Sequence, residues 1–221
     1  MNRDQIQLGE PEDPAVLAAE FPRLGSLGTA PWYRAHSANY PDQPDRGCWW
    51  FSSVSPPQSA EGRFDLPHPK GTCYFADDVE AAVRERLGSA WGRHHFLPPI
   101  SLTDTTVSMI DPTSYVRARD IAHMDHRDAA GFVTREIGGG APYELTCRHA
   151  AAFSRAGFEG IAYRPRFTPG DVLALAIFGN AGRPVPRRLA SDVPGWQAHL
   201  RSPIMSTISR RRAKIFEPPE V

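Results

Sequence analysis

The stretch DVLALAIFG, residues 171–179, is the sequence feature that most constrains the fold. Its side chains are almost all apolar, so both of its faces need covering, which is typical of a strand in the middle of a sheet. The turn-forming run FTPGD joins it to GIAYR, residues 160–164, which predicts a second strand. We therefore expect a sheet with residues 171–179 near its centre.

A further strand runs almost directly into a helix within GTCYFADDVEAAVRERLG, residues 71–88. Asp77 or Asp78 is placed to cap the helix VEAAVRERL, because a carboxylate accepts unpaired backbone N–H groups and suits the positive end of the helix dipole. Strand alternation places Tyr74 on the face opposite its neighbours, where it packs. The helical period predicts that Glu85 lies in solvent and that the buried stripe comprises Val79, Ala82, Val83 and Leu87.

The remaining segments predict an α+β fold in which strands outnumber helices. PAVLAAEF predicts a short helix, and TCRHAAAFSRAGF predicts a longer one with Thr146 as its cap and Gly157 as its stop. PPISL and TTVSMID predict strands, whereas IGGG lacks the phosphate-loop pattern and predicts a flexible loop. We divide the chain into a loosely structured lead-in (1–30), a body (31–183) and a tail (184–221).

The composition narrows the functional classes. With 221 residues, a single domain is expected. Lys plus Arg and Asp plus Glu are equal at 25 each, which disfavours a nucleic-acid partner. No run has the apolar length of a secretion signal or a membrane span, so we expect a soluble cytoplasmic protein without a membrane partner. Three widely spaced cysteines without a C-x-x-C pair predict free thiols.

Two sets of residues suggest different chemistries. His123 and His126, with Asp125 or Asp128, are a candidate centre for a metal-dependent hydrolase, although their spacing matches no named metalloprotease motif. Another histidine pair, His94 and His95, occurs in RHHF. Arg34 and Arg63, if they face one cleft, suit a diphosphate, because a guanidinium matches phosphate oxygens.

The motifs WYRAH, WWFSS, GRFD, GTCYFADDVEAAVRERLG, RAGFEGIAYRPRF and DVLALAIFG, in this order, resemble the RES domain. This domain is the toxin half of the RES-Xre toxin-antitoxin systems, and the resemblance covers about residues 31–180. It implies an α+β fold similar to the NAD-using ADP-ribosyltransferases, with split mixed sheets that enclose a cleft and a few flanking helices. It also implies an Xre-like antitoxin partner, and it leaves a homodimer open.

The activity implied by the resemblance is consumption of NAD as a substrate, without a metal. The nicotinamide–ribose bond would be cleaved, with water, phosphate or a protein side chain as the acceptor. The family's two arginines fall on Arg34 and Arg63, which would hold the diphosphate, and its tyrosine falls on Tyr74, which would pack against the nicotinamide or ribose. Its glutamate falls on Glu85, whose charge would stabilise the positive ribose. We expect these four side chains to line one pocket.

One position departs from the family. The family's serine is expected just after GIAY, where this chain has Pro165. Either Thr168, Ser52 or Ser53 then supplies a hydroxyl, or the chain is an altered member that binds a nucleotide or an antitoxin without catalysis.

Overall fold

The computed structural model describes residues 8–37, 48–55, 60, 62–88, 105–139, 142–182 and 202–203. Within them the helices are α1 (Pro14–Glu20), α2 (Val79–Leu87) and α3 (Glu144–Arg155). The strands are β1 (Trp32–Ser37), β2 (Ser53–Val54), β3 (Leu66–Pro67), β4 (Lys70–Ala76), β5 (Thr105–Ile110), β6 (Ile121–His123), β7 (Gly160–Tyr163), β8 (Ala174–Asn180) and β9 (Ser202–Pro203). The mixture of strands and a few helices confirms the α+β prediction.

In the part of the chain that the structure describes, seven strands form a mixed sheet in the order β6-β7-β8-β4-β1-β5-β9. The antiparallel pair of β4 with β8 lies at its centre and runs from Lys70 opposite Asn180 to Ala76 opposite Ala174. Strand β6 lies parallel to β7 at one edge, and β2 and β3 form a separate parallel pair. The apolar stretch that begins at Asp171 therefore supplies a central strand, as predicted.

Both faces of this central pair are buried, which explains the continuous apolar run in β8. One face, which we call the first face, carries Tyr74, Ala176 and Phe178 and packs against α1 and α3. The opposite, second face carries Cys73, Phe75, Leu175 and Ile177. The alternation predicted for Tyr74 is thus confirmed.

The sheet is split between β1 and β4. Strand β1 pairs with β5 over its whole length, from Trp32 opposite Ile110 to Ser37 opposite Thr105. Against β4, however, β1 has a single paired position, Tyr33 opposite Ala76. The two halves of the sheet therefore diverge from one point of contact.

Helix α2 begins as the sequence predicts but buries a different set of residues. Asp78 is its cap, with the Oδ1 atom accepting a 2.8 Å hydrogen bond from the N–H of Ala81. Val79 is 41% exposed, whereas Ala81 is fully buried, so the predicted stripe is wrong at its start. The reason is that α2 contacts both β1 and β4, where the sheet divides, and is covered on two flanks.

Helix α3 starts earlier than predicted. It begins at Glu144, and Thr146 lies inside the first turn, where its hydroxyl donates to the Tyr143 carbonyl at 3.0 Å and does not cap the helix. The predicted stop is confirmed. Gly157 has a φ of 87°, and the N–H of Phe158 bonds to the Phe153 carbonyl at 3.0 Å, as in a Schellman motif.

The N-terminal segment is packed on the domain, so the prediction of a loosely structured lead-in is wrong for residues 8–30. Leu17 and Phe21 are buried in the core against α3. The N–H of Leu24 donates to the Ile121 carbonyl at 2.9 Å, which covers the outer edge of β6. Apolar burial and backbone pairing together hold this segment in place.

Other predictions have mixed outcomes. The IGGG loop is in part a turn of 3-10 helix, Arg135–Gly138, with Ile137 buried. Cys48, Cys73 and Cys147 are free thiols, as predicted. Among the helices of the described residues, none has the length and apolar character that crossing a membrane requires. The predicted strand PPISL, His94, His95 and residues 183–201 and 204–221 lie outside the described residues.

Candidate active-site cleft

A cleft of about 1050 Å³ opens beside the first face of the sheet. Three segments line it: residues 63–64, 124–138 and 163–171. Its apolar floor consists of side chains that also belong to the core of the first face, namely Phe64, Val133, Ile137 and Tyr163. Strand β7 ends at Tyr163, and the loop that follows it lines the cleft.

The cleft is basic although the whole chain is neutral. Its lining includes the five arginines Arg63, Arg127, Arg135, Arg164 and Arg166, against the two aspartates Asp125 and Asp171. Arg164 is paired with both aspartates, at 2.7 Å from Asp125 and 3.4 Å from Asp171. The remaining arginines leave an excess of positive charge, which favours an anionic ligand.

Arg63 is the buried cation of the cleft. Arg63 is only 7% exposed, and its guanidinium carbon lies 5.4 Å from the centre of the Tyr163 ring. The Nε and Nη1 atoms are buried and make no hydrogen bond to the described residues. Since leaving a buried charged donor unpaired is costly, these nitrogens indicate a site for a ligand with acceptor oxygens.

Tyr74 fixes the loop that carries Arg63. The Tyr74 hydroxyl donates to Oδ1 of Asp65 at 2.7 Å and accepts from the N–H of Phe64 at 3.0 Å. The other oxygen of Asp65 accepts from the N–H of Gly62 at 2.7 Å. Burial and the Asp65 charge raise the pKa of Tyr74, so the phenol stays neutral and can donate its hydrogen bond to Asp65.

Gly62 allows this close packing. A Cβ atom at that position would lie 2.5 Å from the Tyr74 hydroxyl and 2.5 Å from Oδ1 of Asp65. Both atoms are already engaged with each other, so neither is free to move away. A side chain at position 62 would therefore disturb the hydrogen bonds that orient Arg63.

Glu85 lies behind the loop that follows β7. Its Oε1 atom accepts a 2.7 Å hydrogen bond from the N–H of Phe167. Burial raises the pKa of the Glu85 carboxyl, while the Phe167 N–H and the Arg63 guanidinium oppose the rise. The prediction of a solvated Glu85 is wrong, because the loop covers this flank of α2; the side chain is half-buried near the cleft but is not among the lining residues.

The loop after β7 carries the position of the missing serine. Pro165 is buried and lines the cleft, and it offers no hydroxyl there. Thr168, three residues later, also lines the cleft, and its Oγ1 atom is buried without a hydrogen-bond partner in the described residues. Arg164 fastens the loop by donating to the carbonyls of Gly170 and Val172, each at 3.3 Å.

Sequence reasoning missed two residues of the cleft. Tyr163 forms part of the floor, and strand alternation places it on the first face together with Ile161, two residues earlier on β7. Thr134 also lines the cleft, and its Oγ1 atom is likewise buried without a partner in the described residues. Nothing in the local sequence distinguishes Thr134 from a solvent-exposed threonine.

Arg34 lies on the other side of the sheet. Its Nη1 atom donates to the carbonyls of Cys48 at 2.9 Å and Trp50 at 3.0 Å, and it contacts the Cys73 sulfur. Cys73 belongs to the second face, whereas Tyr74 belongs to the first. Of the four side chains expected to line one pocket, Arg63 lines the cleft, whereas Tyr74 and Glu85 lie behind the loops that form it and Arg34 is on the second face. The expectation of a shared lining is therefore wrong for Tyr74, Glu85 and Arg34.

The other predicted hydroxyls are also elsewhere. The backbone N–H of Ser52 donates to the carbonyl of Thr72 at 2.9 Å, and Ser53 begins β2. Neither serine is among the residues that line the cleft. Of the three hydroxyl candidates, Thr168 is the one that lines the same cleft as Arg63.

The histidine cluster has a different arrangement from a metal centre. The rings of His123 and His126 lie 5.8 Å apart, and Nδ1 of His126 accepts from the backbone N–H of Asp128 at 3.3 Å. Burial and the neighbouring His126 lower the pKa of His123. Within the described ranges, no group of three or more His, Cys, Asp or Glu side chains is placed to hold a metal ion.

Comparisons with known proteins relate both the sequence and the fold to a known family. The family model of the RES domain matches residues 31–201, which is most of the chain. The fold is similar to that of a chain in the crystal structure of the M. tuberculosis MbcT-MbcA toxin-antitoxin complex, with a TM-score of 0.51 and 14% sequence identity over 84% of this chain and 88% of that chain. No curated protein sequence matches. Since the match covers most of the chain, we conclude that it belongs to the RES domain family.

Proposed function

We propose that this RES-domain chain consumes NAD by cleaving the nicotinamide–ribose bond, and that it is the toxin of a toxin-antitoxin pair. Membership of the family supports an NAD-acting toxin, and the fold is shared with a chain of a toxin-antitoxin complex. The observation that carries the chemical part is Arg63, a buried guanidinium in a basic cleft, two of whose nitrogens bond to none of the described residues.

The diphosphate of NAD suits the Arg63 site. Its oxygens carry the negative charge that the cleft favours, and they accept hydrogen bonds from a guanidinium. Tyr74 and Asp65 hold the loop of Arg63 rigidly, so little ordering would be needed on binding. Tyr74 then acts as a positioning residue for Arg63, and the ring of Tyr163 supplies apolar surface next to it.

Glu85 would supply the charge that cleavage needs. When the nicotinamide–ribose bond breaks, its electron pair leaves with nicotinamide, and positive charge develops on the ribose. The ionised carboxylate of Glu85, held through Oε1 by the Phe167 N–H, would stabilise that charge. A nucleophile, which is water, phosphate or a protein side chain, then forms the new bond to the ribose carbon.

Thr168 would replace the missing serine. Its hydroxyl is buried in the lining of the cleft and has no partner in the described residues, and it lies in the same loop as Pro165. This arrangement supports a hydroxyl contact to the substrate from a position three residues later than in the family. Thr168→Val would remove the contact and keep the shape of the side chain.

The biological partner would be an antitoxin of the Xre type, which binds the toxin in the cytoplasm. Expression of the chain alone should then arrest growth and lower the cellular NAD content. Co-expression of the antitoxin from a neighbouring gene should restore both. Growth arrest with an unchanged NAD content would contradict the proposed activity.

Pro165 favours a second candidate, a family member that binds a nucleotide without consuming it. In that case the purified chain would bind NAD and leave it intact. Incubation with NAD and identification of products by mass spectrometry separates the two candidates. Free ADP-ribose, a phosphorylated ADP-ribose or a modified protein each identify an acceptor, and the Glu85→Gln variant is the control for a contaminating activity.

A further inference from the structure

Thr134 is an unexplained feature of the cleft. It lies at the start of the 3-10 helix Arg135–Gly138, in the position where a threonine hydroxyl ordinarily caps a backbone N–H. Thr134 makes no such capping hydrogen bond. Its Oγ1 atom is instead buried in the cleft lining, without a partner in the part of the chain that the structure describes.

The segment that carries Thr134 is held from several sides, so its hydroxyl has a defined position. Val133 and Ile137, on either side of it, are buried in the core of the first face. The carboxylate of Glu136 accepts a 2.7 Å hydrogen bond from the backbone N–H of Leu8 in the N-terminal segment. Leu8 precedes residue 31, where the family match begins, so a segment outside the matched region supports this wall of the cleft.

The charges around Thr134 favour an anionic acceptor. Arg135 lies next to it and lines the cleft, as does Arg127, which is paired with Asp128 at 3.4 Å. Arg63, which lines the same cleft, also has two buried nitrogens without a hydrogen bond to the described residues. A hydroxyl can donate one hydrogen bond, and the strongest acceptor attracted to such surroundings is a phosphate oxygen.

We propose that Thr134 is a substrate-binding residue that donates a hydrogen bond to a phosphate oxygen in the cleft, together with Arg63. Only the identity of the ligand as NAD rests on the proposed function; the phosphate contact follows from the unpaired donors of the cleft. Thr134 therefore favours a phosphorylated ligand. It does so from the segment before Arg135–Gly138, whereas the family serine is expected in the loop after β7.

The test measures binding by calorimetry. Inorganic pyrophosphate is titrated into the wild-type protein, Thr134→Val and Thr134→Ser, and NAD is titrated into the same three proteins carrying Glu85→Gln, which should consume it far more slowly. Thr134→Val removes the hydroxyl and keeps the shape, so we expect roughly three- to tenfold weaker binding of both ligands. Thr134→Ser keeps the hydroxyl and should bind like the wild type. Because the hydroxyl bonds to none of the described residues, the melting temperature of the unliganded Thr134→Val protein should stay unchanged or rise.

Three outcomes overturn the proposal. Wild-type protein that does not bind pyrophosphate has no phosphate site in the cleft. If Thr134→Val binds pyrophosphate as tightly as the wild type, Thr134 does not contact the phosphate. If that variant melts at a lower temperature than the wild type, the hydroxyl has a structural role. Failure of the proposed function looks different, because the wild type would then bind pyrophosphate through Thr134 but leave NAD intact.

Discussion

The carboxylate of Glu85 accepts a 2.7 Å hydrogen bond from the backbone N–H of Phe167, which joins α2 to the loop that lines the cleft. One side chain thus combines a negative charge next to the cleft with a contact that shapes the loop. Substitutions can separate these two contributions, because an amide oxygen keeps the contact but not the charge.

We predict that Glu85→Gln lowers kcat for NAD consumption about a hundredfold to a thousandfold, the usual effect of removing one transition-state contact. The glutamine oxygen still accepts from Phe167, so the KM should change little. Glu85→Ala loses the contact as well and should also raise the KM. Steady-state kinetics on the three proteins measures this, and a Glu85→Gln protein with the kcat of the wild type would rule out a catalytic charge.

The raised pKa of Glu85 predicts a dependence on pH. Between the ordinary value of 4.5 and the raised pKa, the folded state binds more protons than the unfolded state, so stability falls as the pH rises through this window. At neutral pH the buried charge lowers stability, and Glu85→Gln should melt at a higher temperature than the wild type. Below pH 4.5 the difference should vanish. Catalysis has the opposite trend, since it needs the ionised form.

Arg63→Met should weaken the binding of NAD and of pyrophosphate by roughly ten- to a hundredfold, because charge-assisted hydrogen bonds are lost. The unliganded protein should be as stable as the wild type or more so, since the variant removes two buried nitrogens that have no hydrogen-bond partner in the described part of the chain. Arg117→Met is a suitable control, because Arg117 is an exposed arginine that pairs with Asp120 away from the cleft. Equal affinities for the Arg63→Met and control proteins would contradict the phosphate site.

Arg34→Ala should reduce the free energy of unfolding by about 1–3 kcal/mol, because the hydrogen bonds from the guanidinium to the carbonyls of Cys48 and Trp50 are lost. Urea denaturation measures the loss. The NAD affinity of the folded variant should remain that of the wild type. Full stability combined with a loss of NAD affinity would instead support the substrate contact that the family resemblance implies for Arg34.

Leu17→Ala should destabilise the protein by about 2–5 kcal/mol, because this side chain is 1% exposed in the core even though it precedes the family match. Val79→Ala removes apolar atoms from a side chain that is 41% exposed, and it should have little effect. Thermal or urea unfolding of the two variants provides the comparison. Similar stabilities would show that the N-terminal segment does not share the core.

The sequence signals that succeeded are local. The apolar run of β8, the cap Asp78 and the stop Gly157 each depend on a few neighbouring residues, and the structure confirms all three. Thr146 has the chemistry of a cap, but the helix begins before it, because the helical backbone extends back to Glu144. A capping residue type therefore indicates that a helix is near without fixing its first residue.

Burial that depends on distant segments was not predictable in this way. The helical period of α2 places Glu85 in solvent, but the loop around Phe167, more than eighty residues later, covers that flank. Likewise, Arg34 and Arg63 have the same chemistry in the sequence, and contacts with β4 separate them. Arg34 contacts Cys73 on the second face, whereas the loop of Arg63 bonds to Tyr74 on the first face. Thr134 has no local signal, since its distinguishing property is the absence of a partner in the described structure.

The strand order also determines when the cleft can form during protein synthesis. The central strand β4 is made early, but its main partner β8 ends at Asn180 and leaves the ribosome about a hundred residues later. Until then the first face lacks the side chains that β8 contributes, and the end of the Thr168 loop that leads into β8 is not yet held by the sheet. A nascent chain that stops before β8 therefore lacks the cleft, so activity begins only once translation has passed this strand.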